Sequence, residues 1–462
     1  MSRKQIKGDT QESVHKMTPP IPQIIPASQS LTPGIIGAPV AFSETVTSCG
    51  GIKATGYMSG PVPWIQNIYA ARWSSANDLE SVLLEGLVPT QHWGDPSVCW
   101  LRDRFIFASA RTAFLTIGEY RADGSQITRF TAGDSESRNP IMLPLASGAL
   151  LAVNCKHVGA LNLEMHYRSP GGAWASRWET FTPTSNLVPS CRLSMHQFAD
   201  GTICLFLNRD GSNTIDRFLI RENASFSGVQ VVEWIGGFLR NGQGSPDGAM
   251  MPHGEFPWPV SAYDPWKNRI LLSYQNNTSG FFCGVGVSKT VVVAVTLGAS
   301  GKQLLYASPT YIDQQFSLSP VFPGPDGFDL LQFEVNQNAC AQKLWRMTRV
   351  FYDGQPTIVD SETIPGARGQ MTWSQDGYGI YQEPDNKYVV AEIGLTQLRP
   401  RLAIEKTISG VIVRAVWNQP ADAYDLQSRT DYGAWVTEPR QNGDVWNFPV
   451  GSGVKFFQLK KR

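Results

Sequence analysis

A polar turn set between two short apolar strands recurs six times along this chain. The turns centre on Asp103, Gly148, Gly201, Asn268, Gly327 and Asn386. The strands leaving them read RFIFAS (104–109), ALLAVN (149–154), TICLFLN (202–208), RILLSYQ (269–275), FDLLQFE (328–334) and KYVVAEI (387–393). Successive turns lie 45, 53, 67, 59 and 59 residues apart. An amphipathic helix needs apolar residues at three- and four-residue intervals, whereas these are β-type runs bounded by turn chemistry. Each interval has room for a small antiparallel sheet, so the chain is expected to be all-β and built by repetition.

Sheets repeated at this period predict a β-propeller, here with six blades. A chain of 462 residues has the length for one propeller and a small additional module. Lys plus Arg and Asp plus Glu are equal at 39 each, so no global field favours nucleic acid or an anionic membrane. No apolar run approaches the roughly twenty residues needed to span a bilayer. The opening MSRKQIKGDTQESVHKM is polar throughout, and no secretory signal is expected from it. Cys49, Cys99, Cys155, Cys191, Cys204, Cys283 and Cys340 show neither CxxC nor Cys/His zinc spacing. Buried free thiols are therefore expected, with no metal and no other cofactor. Free thiols suit folding in reducing cytoplasm, while the low charge and many aromatic residues suit an external surface. A virion component folded in the host cytoplasm fits both; a cytoplasmic or surface-associated propeller is the alternative.

Three regions separate by composition. Residues 1–48 carry prolines at 19, 20, 22, 26, 33 and 39 around the pairs Ile24-Ile25 and Ile35-Ile36. This reads as an extended arm, either free or ordered against a neighbouring subunit. Residues 49–405 hold the repeats. Residues 406–462 carry strands ended by Gln-Pro, Tyr-Gly and Asn-Gly turn signals. Within them Trp417, Tyr424, Leu426, Gln427, Thr430, Asp431, Trp435, Phe456, Phe457 and Leu459 resemble the pattern of small fibronectin-type-III-like modules. That resemblance implies a sandwich-like accessory module for spacing or docking. The insertion 236–257 is long for a blade connection, and its Phe238, Met250 and Met251 suggest burial against a partner. Acidic groups there lack the close, regular spacing of a calcium loop.

Inside the repeats, SRNPIMLPLASGALLAVN (137–154) followed by LEMHYRSPGGAW (163–174) resembles a blade of the sialidase-like, BNR-repeat superfamily. HQFADGTICLFLNRDGSNTIDRFLIREN (196–223) is similar to blades of related polysaccharide lyases. The resemblance implies an innermost strand opened by Asn139-Pro140 and outer strands at 163–168 and from 174. The nearest approach to an Asp-box is Tyr167 to Trp174, with Pro170 where the aspartate belongs. For an enzyme of this kind, Arg138, His157 and Arg209 are the residues the resemblance implies: arginines to neutralise a substrate carboxylate and a histidine to move a proton. The Glu-x-Arg element of the sialidases is absent, with Asn154-Cys155-Lys156 in its place. The tyrosine expected before Asp200-Gly201 is also missing, and Cys191, Arg192 and Leu193 stand there.

These departures favour a non-catalytic structural or host-attachment component of a phage tail or similar particle. Its partners would be other subunits, with a homo-oligomer in the particle and a possible surface glycan. The alternatives are a carbohydrate-active enzyme, lyase or hydrolase, and a non-catalytic glycan-binding propeller.

Overall fold

The computed structural model describes residues 23–31, 40–42, 47–49, 52–62, 65–73, 80–89, 96–110, 115–132, 137–158, 160–181, 191–209, 214–240, 259–282, 285–298, 301–308, 312–313, 320–324, 327–335, 343–352, 358–364, 371–373, 378–382, 388–394, 401–407, 410–416, 424–430, 436–438, 445–449 and 455–461. Among these the regular structure is all strand. Of the expected features, the turn at Asn386, most of the 236–257 insertion, and Trp417, Asp431 and Trp435 lie outside the described residues.

The strands form successive antiparallel sets, each a meander of neighbours in sequence. Sheet I has Val40–Phe42 and Thr47–Cys49 end to end on Ile52–Val62, followed by Ile65–Trp73 and Glu80–Pro89. Sheet II is Ser97–Leu101, Arg104–Ala110, Leu115–Arg121 and Gln126–Ala132. Sheet III is Ser137–Pro144, Leu150–Val158, Ala160–Arg168 and Trp174–Phe181. Sheet IV is Cys191–Gln197, Ile203–Arg209, Thr214–Glu222 and Val229–Arg240. Sheet V is Val260–Asp264, Arg269–Phe282, Val285–Val295 and Lys302–Ala307. Sheet VI is Val321–Pro323, Gly327–Val335, Lys343–Phe351 and Ile358–Ile364, linked to sheet V by Ile312–Asp313. Sheet VII is Met371–Trp373, Tyr378–Gln382 and Tyr388–Gly394, with Gln23–Leu31 on its outer edge.

Two expectations need correction here. With the nine-stranded sheet divided at Ile312–Asp313, the described strands make seven sets beside the six turns read from the sequence, sheet I preceding the first of those turns. Its opening strand is split in two, so no continuous apolar run announces it. The apolar strand Tyr388–Gly394 follows both Met371–Trp373 and Tyr378–Gln382 in the meander of sheet VII, so it is the third of these strands, not the second as the sequence suggests. The polar turn chemistry is the same at either hairpin, and sequence alone does not separate them.

The arm also behaves differently from expectation. Gln23–Leu31 pairs antiparallel with Tyr388–Gly394 of the same chain, Ile24 opposite Ile393 and Leu31 opposite Tyr388. The register shifts between Pro26 and Ser30, where proline cannot donate to a ladder. Beyond sheet VII, Arg401–Thr407, Gly410–Val416 and Val445–Pro449 make one three-stranded sheet. Val436–Thr437, Tyr424–Thr430 and Lys455–Lys461 make another. The first of these strands crosses the expected boundary at 405/406.

Sheets I to VI stack face to face through shared apolar cores, with first strands adjacent, and their sequences show why. In TICLFLN, Ile203, Leu205 and Leu207 join the core shared with sheet III, while Cys204 and Phe206 join the core shared with sheet V. Ile270, Leu272 and Tyr274 likewise face sheet IV, and Leu271 faces sheet VI. A strand buried on both faces reads as a continuous apolar run instead of an alternating one. Burying one such side chain contributes about 1.5–3 kcal/mol.

Hairpins close on one pattern. Gly148 N–H donates to Leu145 O while Leu145 N–H donates to Ala149 O, and Gly201 repeats this on Phe198 and Thr202. Both glycines sit at positive φ, 83° and 85°, as a three-residue loop with a bulge requires. Tight approach also fixes Gly118, where an added Cβ would lie 2.5 Å from Phe107 and 2.6 Å from Tyr120. Gly118→Ala is therefore expected to lower stability by about 1–3 kcal/mol through overpacking. Urea unfolding of the variant measures it, and an unchanged midpoint would contradict the packing.

Candidate functional site

Each sheet presents two ends to the surface. One carries the turns at 102–103, 145–149, 198–202 and 265–268, together with the turns between third and fourth strands. The other is where second strands finish and third strands begin.

Arg138, His157 and Arg209 all belong to this second end. Arg138 pairs with Cys155 near the start of sheet III's first strand. His157 pairs with Leu161, where the second strand turns into the third. Arg209 closes the second strand of sheet IV, opposite Cys191 at the start of the first. Sheets III and IV share a core that includes Leu151, Val153, Met165, Leu193, Leu205 and Phe218, so the three positions occupy one end of adjacent sheets. A register shift between Arg138 and Ile141 marks the Asn139-Pro140 step. Strand pairing thus puts these three positions at the same end of two neighbouring sheets.

The turn end is built as a set of locks between sheets. Glu119 of sheet II accepts hydrogen bonds from Arg168 Nε at 2.9 Å and Trp174 Nε1 at 2.7 Å, both from sheet III, and from Arg104 Nη1 at 3.2 Å. Burial alone would raise its pKa, but these donors and the Arg168 charge hold it below the usual carboxylate range. Glu222 of sheet IV accepts from Tyr167 Oη and Ser147 Oγ of sheet III, both at 2.7 Å. Arg217 of sheet IV is fully buried. It donates to the carbonyls of Thr296 at 3.1 Å and Gly298 at 3.0 Å in sheet V, and pairs with Glu233. Tyr352 of sheet VI donates to Asp264 of sheet V at 3.2 Å.

The near Asp-box of the sequence is thereby explained. Tyr167, Arg168 and Trp174 are interface pegs directed at Glu222 and Glu119, so these three serve the stacking. A second buried cluster escaped sequence reading. Asn154 Nδ2 donates to Glu164 at 3.1 Å, Glu164 lies 3.2 Å from His166 Nε2, and His166 Nδ1 meets Ser176 Oγ at 2.8 Å. His166 packs against Phe130, which in turn contacts Trp174. Glu164 and His166 are fully buried, which removes them from any bulky substrate.

A shallow recess of about 460 Å³ lies at the turn end of sheet II, lined by Asp103, Arg104, Arg121, Ala122, Asp123 and Ile127. Arg104 is already held by Asp103 at 3.0 Å and by Glu119. Asp123 accepts from the Ser125 N–H. Two aspartates and two arginines line it, so the recess carries no net charge to grip an anion. Among the described residues no group of three or more His, Cys, Asp or Glu side chains is placed to hold a metal ion. No helix among them is long and apolar enough to cross a membrane.

Comparison with known proteins yields distant likenesses. No family model matches the chain, and no curated protein matches it. Among solved structures, the polysaccharide lyase Uly1 superposes with a TM-score of 0.46 at 9% identity, covering 83% of this chain and 94% of that one. A PL25 ulvan lyase bound to -[GlcA(1-4)Rha3S]- gives 0.48 at 9% identity, over 78% of this chain and 94% of that one. The WD40 β-propeller domain of Doa1 gives 0.43 at 10% identity, over 82% and 99%. At these scores the fold described above rests on strand pairing, and the likenesses add nothing about chemistry. They lend no support to a particle component or to a fibronectin-type module.

One part-buried group between sheets IV and V sets a pH dependence. The His196 Nε2–H donates to the carbonyl of Ser261 at 2.6 Å. Desolvation between the two sheets lowers its pKa to about 4, against a weaker opposing effect of that bond. The native ring stays neutral while the unfolded ring takes up a proton below about 6.5. Stability is therefore full above the unfolded pKa, falls as pH drops from about 6.5 to 4, and levels off below that. The loss through this group is on the order of 3 kcal/mol. His196→Gln, which keeps the donor, is expected to flatten that stretch of a stability–pH curve measured by urea unfolding. Parallel curves for variant and parent would contradict it.

Proposed function

We propose that the chain is a carbohydrate-active β-propeller that takes an anionic polysaccharide at the second end of sheets III and IV. The observation that carries this reading is the convergence of Arg138, His157 and Arg209, from three strands, on one end of two packed sheets. The turn end is committed to holding the sheets together, which leaves the opposite end for a ligand.

Two guanidinium groups suit a uronate carboxylate, since arginine binds carboxylates in a planar, bidentate fashion. With the carboxylate neutralised, the sugar C5 proton becomes acidic enough for an imidazole to abstract. His157 would take that proton, the C5 electron pair would form the C4=C5 double bond, and the C4–O bond would break. The departing oxygen regains a proton from the imidazolium, so one histidine serves both steps where the sequence lacks the expected tyrosine. General acid–base help of this kind is worth about 10²–10⁴ in rate.

The finer architecture belongs to the same reading. Seven meanders would close into a ring, with Gln23–Leu31 completing sheet VII. The two three-stranded sheets after residue 400 would form the accessory module.

The test is an unsaturated-product assay on uronate polymers, neutral polymers serving as controls. Turnover on the uronate polymers is expected. His157→Ala should lose it by at least 10²-fold with binding retained, and Arg138→Ala and Arg209→Ala should weaken binding itself. Absence of both binding and turnover across the anionic polymers would overturn the reading.

A further inference from the structure

We infer that Cys49 and Cys99 form a redox-controlled disulfide that clamps the first sheet onto the second. Cys49 ends the split first strand of sheet I, and Cys99 lies in the middle of the first strand of sheet II. These strands are tied across the interface by Thr47 Oγ1, which donates to the Val98 carbonyl at 2.8 Å. That bond fixes position 47 beside 98, and Cys49 follows two residues later. Cys49 packs onto the apolar cluster formed by Cys99, Leu101, Ile106, Ala108, Leu115 and Ile117. The two thiols are close enough that the charge of one is felt by the other.

Both are free thiols, and their exposures differ in a way that orders the chemistry. Cys99 is fully buried, whereas Cys49 is part-exposed. The other two free cysteines described, Cys155 and Cys204, are buried in the cores between sheets III and IV and between sheets IV and V. A dissolved oxidant therefore meets Cys49 first among these four. With a small-molecule disulfide such as oxidised glutathione, the Cys49 thiolate attacks one sulfur and releases one glutathione thiolate. The Cys99 thiolate then attacks the Cys49 sulfur and releases the second. Two protein thiols lose two electrons and two protons, and one small disulfide becomes two thiols. Burial raises the pKa of both cysteines, so exchange is slow near neutrality and accelerates with pH.

The consequence is structural. The cross-link encloses the strands Ile52–Val62, Ile65–Trp73 and Glu80–Pro89 of sheet I and closes a loop of about fifty residues, long enough to restrict the unfolded chain substantially. Sheet I is the first sheet along the chain, and its opening strand is split, so the clamp holds an interface with a short inner strand.

The experiment incubates the full-length chain with oxidised glutathione at mildly alkaline pH, followed by non-reducing peptide mass spectrometry and thermal unfolding. A peptide pair joined through Cys49 and Cys99 is expected, with a rise in Tm that dithiothreitol reverses. Cys49→Ser and Cys99→Ser should each abolish both, and the Cys49→Ala and Cys99→Ala variants serve if a serine variant fails to fold. Accumulation of Cys49 as a stable mixed disulfide beside a free Cys99 thiol would overturn the inference. So would linkage of Cys49 to any other cysteine, or no oxidation at either residue.

Discussion

Alternate side chains of the second strands in sheets II to V pack against the sheet before and the sheet after, and the remaining structure follows from that double burial. Ile106 and Ala108 face one neighbour while Phe105 and Phe107 face the other. Leu150 and Ala152 are likewise set against Leu151 and Val153. Such strands have no solvent face, so a sheet left alone would expose apolar surface on both sides. Apolar packing is non-directional, however, and does not by itself choose how far one sheet slides on the next. Polar groups at the interfaces do that. Arg168 on Glu119, Tyr167 on Glu222, and Arg217 on the Thr296 and Gly298 carbonyls each have one geometry that satisfies them. Leaving such a group buried without its partner costs several kcal/mol. Each lock therefore rejects slipped stackings more than it adds net stability.

The fold was legible where the chain speaks in continuous apolar runs bounded by turns. RFIFAS, ALLAVN, TICLFLN, RILLSYQ and FDLLQFE all fall on second strands, and the glycines at 148 and 201 occupy the left-handed positions their hairpins need. Sheet I was hidden because its first strand is broken into two triplets. The partner of Gln23–Leu31 was hidden because strand pairing across the whole length of a chain leaves no local signal. The stretch LNLEMHYR shows a third difficulty. Its alternation of apolar Leu163, Met165 and Tyr167 with polar Glu164, His166 and Arg168 suggests a half-exposed strand. In the structure those polar residues are buried, Arg168 on Glu119 of sheet II and Glu164 and His166 beside each other within sheet III. Periodicity reports which residues share a face, not what covers it.

The candidate site was readable as a set of positions rather than as a geometry. Arg138, His157 and Arg209 stand 19 and 52 residues apart in sequence, and the pairing of sheets III and IV places them at one end. The same topology separates two jobs. Turns and interface pegs gather at one end of the sheets, and the loops that vary most in length gather at the other. A binding surface on the second end can change its residues without disturbing the locks that hold the stack in register.

Closure is the claim on which the architecture turns, because Gln23–Leu31 joins the N-terminal region to a strand more than 350 residues away. Amide hydrogen exchange of the isolated, monomeric chain tests it directly. If the strand completes sheet VII within one molecule, the amides of 23–31 that pair with Tyr388–Gly394 exchange far more slowly than those of an unstructured peptide. If these residues form an arm that orders only against another subunit, they exchange at the unstructured rate in the monomer and become protected only on assembly.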